Sequence, residues 1–277
     1  MTDAAIANAD QAAHWSEAGQ VWVEHSGPLD RFLETVTPPL LDAAFPGAGA
    51  SVLDIGCGFG STTLEMARRL GPGGRCLGVD ISAPMLNLAR TRAAGVAGVD
   101  FLQADAQTAD LGAAAFDAAM SRFGVMFFDD AVAAFGNIRS AMKPGGRLAF
   151  VCWRSPLENA FFSAPAMAAA GLLPPGPPPE PDAPSQFAFA DPGKVAGILE
   201  RSGWREASID KLDAPVSVTL EDASRLLLGV GPVGAALRAD PSLEPELTRA
   251  VTGALEPYRD GERLKVDAAC WLVTARA

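Results

Sequence analysis

Short apolar runs alternate with longer amphipathic stretches through the middle of the chain. The apolar runs predict strands at 51–55, 75–79, 99–103, 116–121 and 147–152. Helical spacing of apolar positions predicts helices between them, at 62–70, 84–94 and 131–142. Several strands are apolar on both faces, which is typical of parallel strands that helices cover on each side. The pattern therefore predicts an α/β fold with a doubly wound sheet.

Glycine and proline mark the turns and the segments outside this core. The clusters at 71–74 and 143–146 are predicted to stop a helix and lead into a strand. Upstream, 15–45 is predicted to be helical, with Pro38 and Pro39 interrupting or restarting the helix. Seven prolines within 172–184 predict a stiff, exposed insertion. Beyond it the pattern predicts helices at 192–202, 220–228 and 241–255 and strands near 207–212 and 268–274.

These elements divide the chain into six segments. We expect an N-terminal helical lid, a ligand-binding core, a proline-rich cap insertion, a resumed core segment, a helical cap and a final core strand. Their predicted boundaries are 1–46, 47–155, 156–190, 191–215, 216–262 and 263–277.

The charge and the cysteine content of the chain indicate which classes of partner to expect. Lys and Arg number 22 against 33 Asp and Glu, so the formal net charge is −11, and no run of five basic residues offers a phosphate-binding patch. The start of the chain does not resemble a secretory signal, and no apolar window is long enough to span a membrane. The four cysteines are scattered, and the two histidines cannot complete a familiar zinc site. We expect a reduced, cytoplasmic protein without metal, nucleic-acid or membrane partners; a homodimer is compatible with the sequence.

The sharpest motif is a glycine-rich turn after the first strand. Asp54 is followed by Gly56, Gly58 and Gly60, and a helix then opens at Ser61. Because glycine has no side chain, a ligand can approach the backbone closely there, and a helix start presents unpaired N–H donors. The Asp54 carboxylate favours a ligand that carries an ammonium group or another cation over a pyrophosphate. The turn alone is also compatible with an ordinary tight turn.

Two further acids end the second and third strands. The Asp80 carboxylate can accept both hydroxyls of a ribose, and the Asp105 carboxylate can accept an exocyclic adenine amine. Each of the three acids could instead cap the helix that follows it. Because ligands of such sheets bind at the carboxyl ends of the strands, three acids at three successive ends favour one bound nucleoside.

Five stretches together resemble the class I S-adenosylmethionine-dependent methyltransferases that act on small molecules. They are DIGCGFG, GVDIS, QADA, FDAAMSRFGVMFF and KPGGRLAFVCW, and they cover roughly 51–154. The resemblance implies a Rossmann-like, mostly parallel seven-stranded sheet with a helical cap. It also implies S-adenosylmethionine as cofactor and S-adenosylhomocysteine as product.

The resemblance assigns cofactor-binding roles to individual residues. Asp54, Gly56 and Gly58 would contact the methionine part, and Asp80 the ribose. Ile81 and Met85 would contact the adenine faces, and Asp105 and Ala106 the adenine edge. Ser121 would lie beside the transferable methyl. Ile81 and Met85 could equally be helix-packing residues.

Acceptor-side candidates are fewer. His25 is the preferred catalytic base, because an imidazole takes a proton near neutral pH and this one lies on a predicted helix that could close over the cofactor. Arg122 would pair with an anionic group, and Phe123 would wall off an apolar substrate. The alternatives are a structural histidine and aromatic residues that only seat the next helix. Cys57 is expected to be a small buried thiol that fills the turn.

The favoured function is methyl transfer to an O, N or C atom of a small, largely apolar metabolite. One alternative is an enzyme that binds S-adenosylmethionine but catalyses a decarboxylation or a rearrangement. Another is a non-catalytic binding protein on the same fold. A nicotinamide oxidoreductase is disfavoured because the turn reads GxGxG instead of GxGxxG. The fourth motif lacks the Asn/Asp-Pro-Pro-Tyr/Phe pattern of nucleic-acid and amide N-methylating relatives, which argues against a DNA or glutamine target.

Overall fold

The computed structural model describes residues 8–174, 183–216 and 218–277. Most of the proline-rich stretch predicted at 172–184 lies outside these ranges. Within them, the chain builds one large sheet with helices on both faces and a small two-stranded hairpin.

The sheet has seven strands in the order β3-β2-β1-β4-β5-β9-β6. The first five are parallel to one another, whereas β9 runs antiparallel to both β5 and β6. This confirms the predicted doubly wound, mostly parallel sheet. The strands are β1 Ser51–Ile55, β2 Arg75–Asp80, β3 Val99–Gln103, β4 Phe116–Arg122, β5 Met142–Trp153, β6 Arg205–Val216 and β9 Val266–Arg276; β7 Arg259–Asp260 pairs with β8 Arg263–Leu264 in the hairpin.

Eleven α-helices lie within the described ranges. They are α1 Ala9–Glu24, α2 Ser26–Phe32, α3 Thr37–Ala44, α4 Ser61–Leu70, α5 Ala83–Arg92, α6 Ala131–Ser140, α7 Ala160–Ala169, α8 Pro192–Arg201, α9 Leu220–Gly229, α10 Gly231–Ala239 and α11 Glu244–Leu255. None of the helices in the described part of the chain is long and apolar enough to cross a bilayer.

One local prediction is confirmed, one needs correction and one helix was missed. Pro38 and Pro39 restart the helical segment: they lie in the first turn of α3, where a missing N–H costs nothing. The 143–146 cluster belongs to β5, whose pairing with β4 shifts register between Phe116 and Ala118 instead of forming a separate turn. Helix α10 was not predicted.

The packing brings the strand ends of interest to one edge. Leu53, Met120 and Phe150 on neighbouring strands are fully buried, so the central strands are covered on both faces. Because β1 to β5 are parallel, their carboxyl ends meet at the same edge of the sheet. Helix α1 packs against α5 beside that edge, and α3 packs against β4 and β5.

Candidate cofactor and active site

The glycine turn after β1 is held by its backbone. The N–H groups of Gly56 and Cys57 both donate to the Val79 carbonyl, at 2.8 and 3.1 Å. Gly56 has φ +63°, and a Cβ atom there would lie 2.6 Å from the Cα atom of Gly124. Glycine is therefore required at position 56 both by the left-handed backbone and by the approach of the segment after β4.

Asp54 is fully buried at the end of β1. Its Oδ2 accepts hydrogen bonds from the hydroxyls of Thr62 and Thr63, each at 2.6 Å, which ties the strand to the start of α4. Its Oδ1 is buried and has no hydrogen-bond partner in the described part of the chain. Burial raises the pKa of Asp54 to about 6, although the two threonine hydroxyls and Arg122 oppose the shift. Asp54 thus anchors α4, and its other oxygen is left without a hydrogen-bond donor among the described residues.

Asp80 at the end of β2 faces the glycine turn. Its Oδ2 accepts the N–H of Gly58 at 2.7 Å and its Oδ1 accepts the N–H of Ser82 at 2.8 Å. Burial raises the pKa of Asp80 above its ordinary value, and these backbone donors oppose that shift. A carboxylate oxygen has room for more than one donor, so each can still accept a hydroxyl.

Asp105 follows β3 and lies on the same edge. Its Oδ1 accepts the N–H of Gln107 at 2.8 Å, and both of its oxygens lie 2.9 Å from the side-chain nitrogen of Asn8. The neighbouring Ala106 is buried, and its carbonyl accepts the side-chain amide of Asn137 at 2.9 Å. The sequence did not identify Asn8, because nothing local links it to a residue 97 positions away.

The remaining predicted cofactor residues lie around these acids. Met85 is buried, and its sulfur is 3.7 Å from the position of a Cβ atom at Gly58. Ile81 is half-buried beside Asp80. Ser121 is fully buried, with its hydroxyl donating to the Ile55 carbonyl at 2.7 Å and accepting the Gly124 N–H at 3.1 Å. In this structure the Ser121 hydroxyl therefore joins the ends of β1 and β4.

Arg122, at the end of β4, lies in a charged cluster. Its guanidinium donates to the Thr37 hydroxyl at 2.7 Å and lies 3.7 Å from an oxygen of Asp30. Asp30 is held more closely by Arg92 at 2.9 Å and by the Ser61 hydroxyl at 2.7 Å. The Arg122 side chain is only 11% exposed, and burial lowers its pKa. This partly compensated guanidinium is one wall of a groove of about 540 Å³ between α2, α3 and α4.

Phe123 begins an aromatic cluster over the ends of β4 and β5. Its ring stacks on Trp153 with 4.0 Å between the ring centroids and 8° between the ring planes. Its φ of +61° is unusual for a bulky residue, and such strain is concentrated at functional sites. Helices α2 and α7 complete the cluster with Phe32, Phe161 and Phe162.

His25 lies at the junction of α1 and α2. Its ring packs so closely on Gly229, at the end of α9, that a side chain at that glycine would overlap it. The Nδ1 atom is buried without a hydrogen-bond partner in the described ranges. Burial lowers the pKa of His25, and the nearby Arg225 and Arg238 act in the same direction against Glu24. The structure thus gives His25 a packing contact, and its role as a base stays a prediction.

Cys57 is buried inside the glycine turn, as expected for a thiol that fills space. Burial raises its pKa well above the ordinary value, and the nearby Asp80 and Asp54 add to this shift. A thiol that resists ionisation is a poor nucleophile.

Comparison with known proteins identifies the family of this segment. The family model described as a methyltransferase domain matches residues 52–146, from β1 into β5. Aklanonic acid methyltransferase DauC of Streptomyces sp. (strain C5) is 33% identical over 145 residues, which cover 50% of this chain and 66% of that protein. The aligned segment therefore covers just under two thirds of that curated relative.

Solved structures extend the likeness of the fold to most of the chain. The YcgJ protein of Bacillus subtilis superposes with a TM-score of 0.57 at 18% identity, covering 86% of this chain and 96% of that one. The [4+2]-cyclase SpnF gives a TM-score of 0.56 at 21% identity, covering 87% of this chain and 80% of that one.

The fold is that of the class I, Rossmann-like methyltransferases. The segment 52–146 belongs to the methyltransferase domain family, which confirms the resemblance to S-adenosylmethionine-dependent methyltransferases.

Proposed function

We propose that this chain binds S-adenosylmethionine at the edge formed by β1, β2 and β3 and transfers its methyl group to a small, largely apolar metabolite. The observation that carries the proposal is that Asp54, Asp80 and Asp105 lie at the carboxyl ends of three neighbouring parallel strands, with Asp80 hydrogen-bonded to the glycine turn. The cofactor is a nucleoside joined to a zwitterionic amino acid, and each acid offers an acceptor for a different part of it.

The side chains at this edge of the sheet fit that cofactor. The unpartnered Oδ1 of Asp54 lacks the kind of partner that an ammonium group provides. Asp80 would accept the ribose hydroxyls, while Asp105 and Ala106 would contact the adenine edge. Gly56 and Gly58 would leave room for the methionine part, with Ile81 and Met85 against the adenine faces and Ser121 close to the reacting end.

The bound cofactor would supply a methyl group on a positively charged sulfur, which leaves as a neutral thioether. The protein then needs mainly to hold the acceptor in line and to exclude water. We assign water exclusion to Phe123 and the stacked Trp153, and binding of an anionic acceptor group to Arg122. Where the acceptor must lose a proton, His25 is the proposed base, after a movement that frees its ring from Gly229.

Labelled cofactor tests the function directly. Calorimetry should detect binding of S-adenosylmethionine, and metabolite extracts incubated with methyl-labelled cofactor should yield a labelled product and S-adenosylhomocysteine. Binding without either product would favour the non-methylating alternative; the fold itself admits other reactions, since one of its neighbours is named a cyclase. Absence of binding would favour a non-catalytic protein. The acceptor atom, a homodimer, a cytoplasmic location and the absence of nucleic-acid partners stay predictions.

A further inference from the structure

Asn8, just before α1, is held at the Asp105 carboxylate by a dense set of hydrogen bonds. Its side-chain nitrogen donates to both oxygens of Asp105 at 2.9 Å and to the side-chain oxygen of Gln107 at 3.2 Å. Its side-chain oxygen accepts the N–H of Asp129 at 2.6 Å, and its own N–H donates to the Asp129 carboxylate at 2.8 Å. Asn8 is only 2% exposed.

The orientation of this amide is fixed by its partners. An ionised carboxylate can only accept, and a backbone N–H can only donate, so the nitrogen must face Asp105 and the oxygen must face Asp129. A primary amide oriented in this way presents an NH₂ donor beside an acceptor. The edge of adenine presents the same pair, its 6-amino group beside a ring nitrogen.

The Asn8 nitrogen also takes the position from which an adenine amine would donate to both oxygens of Asp105. It lies at equal distance from both oxygens of Asp105, in the fork between them. One of those oxygens is already engaged by the N–H of Gln107. Since the fork accommodates one nitrogen, Asn8 and an adenine amine cannot both occupy it.

The contact is a tertiary one and not a helix cap. Asn8 is the N-cap residue of α1, but its side chain makes no capping hydrogen bond to that helix. Further along, α1 is held separately, by the Ser82 hydroxyl on the Trp15 carbonyl at 2.8 Å and by the Trp15 ring on Phe127. The first turn of α1 can therefore leave Asp105 while the rest of the helix stays in place.

We propose that Asn8 is an intramolecular mimic of the adenine edge that competes with the cofactor for Asp105. The inference rests on the proposed function, because it takes Asp105 as the adenine-reading carboxylate. When the site contains no nucleoside, Asn8 satisfies the Asp105 carboxylate. Cofactor binding then requires the first turn of α1 to swing away. With a competitor of this kind, the apparent dissociation constant equals the intrinsic one divided by the fraction of molecules in which Asn8 has left Asp105.

Replacing Asn8 with glycine tests the competition. Asn8 has φ 53°, a left-handed conformation that glycine adopts without strain, so Asn8→Gly removes the amide and little else. Calorimetric titration with S-adenosylhomocysteine should give a dissociation constant about 3- to 10-fold smaller for this variant than for the wild type. Asn8→Asp, which repels Asp105 and also tolerates this backbone, should change affinity in the same direction and serves if the glycine variant fails to fold.

A matched glycine substitution separates competition from a general loosening of α1. Gln20 is exposed in the interior of the same helix, so Gln20→Gly weakens α1 without touching Asp105. Its affinity for S-adenosylhomocysteine should equal that of the wild type. Unchanged or weaker binding by the Asn8 variants, or equal tightening by Gln20→Gly, overturns the proposal. If neither the wild type nor the variants bind the ligand, the proposed function itself has failed.

Discussion

Single residues at the glycine turn are set by steric requirements that can be measured. Gly56 and Gly73 both have positive φ, but a Cβ atom would overlap Gly124 at the first and meet open space at the second. Gly73→Ala should therefore cost only the backbone strain, about 1 kcal/mol of unfolding free energy, while Gly56→Ala should cost at least about 3 kcal/mol. Urea unfolding of both variants gives the comparison. Equal losses would show that Gly124 yields freely and that the close approach does not matter.

Asp54 makes the stability of the protein depend on pH in an unusual direction. Its pKa rises from 3.8 to about 6 on folding because the carboxyl is buried, so the folded state holds the proton more tightly than the unfolded chain. Ionisation therefore opposes folding, and this contribution to stability falls as pH rises from about 4 to about 6, by about 3 kcal/mol in full. Between about pH 5 and pH 7.5 the Asp54 contribution should fall by about 1.4 kcal/mol.

The Asp54 contribution is measured as the difference between wild type and Asp54→Asn. The amide cannot ionise, and its oxygen can still accept from Thr62 and Thr63. Urea titrations at several pH values should show that the unfolding free energy of the variant increases relative to that of the wild type as pH rises. Parallel stability curves for the two proteins would mean that Asp54 titrates at its ordinary pKa despite its burial.

Asp80 is the residue on which the ribose assignment depends. Asp80→Ala removes the charge-assisted hydrogen bonds expected for the ribose hydroxyls and should weaken S-adenosylhomocysteine binding by about 1–3 kcal/mol. The exposed carboxylate of Asp100, in β3, provides a matched control: Asp100→Ala should bind as the wild type does. Because Asp80 also accepts the N–H groups of Gly58 and Ser82, thermal melts must show that the variant is folded. Unchanged affinity in a folded Asp80→Ala protein would refute the ribose assignment.

At the scale of elements, how well a feature could be predicted depends on its burial and on how far apart in the sequence its contacting residues lie. Strands β1 and β3 begin and end where the apolar runs predicted. Strand β1 is central and must be apolar to pack between helices, whereas β3 lies at the edge of the sheet and is largely exposed. Helix α10 was missed because its sequence contains a proline and two glycines, residues that locally indicate a turn. The three acids could be found because each lies within two residues of a strand end. The contacts of Asn8 and Asp30 with distant segments are not encoded by any local pattern.

The contact between the α1–α2 junction and α9 is expected to weaken in acid. Burial lowers the pKa of His25, so protonation is less favourable in the folded state and its contribution to stability is lost as pH falls below about 6.5. This is opposite in sign to the Asp54 effect, so each is read from its own variant. His25→Asn should flatten the loss of stability between about pH 7 and pH 5 relative to the wild type. A variant whose curve follows the wild type would show that His25 is solvated in solution.

At the scale of the whole molecule, the proposed ligand joins the ends of β1, β2 and β3. Its binding should therefore stabilise the whole fold against thermal unfolding. Saturation at 100 times the dissociation constant stabilises a folded state by about 2.7 kcal/mol, which should raise Tm by about 5 °C at pH 7.5. At about pH 5 Asp54 is largely protonated and must ionise before it can face an ammonium group, at a cost of about 1.4 kcal/mol. The same S-adenosylhomocysteine concentration should then give about half the shift, while in Asp54→Asn the shift should be equal at both pH values. A wild-type shift that does not change with pH would place the ammonium group away from Asp54.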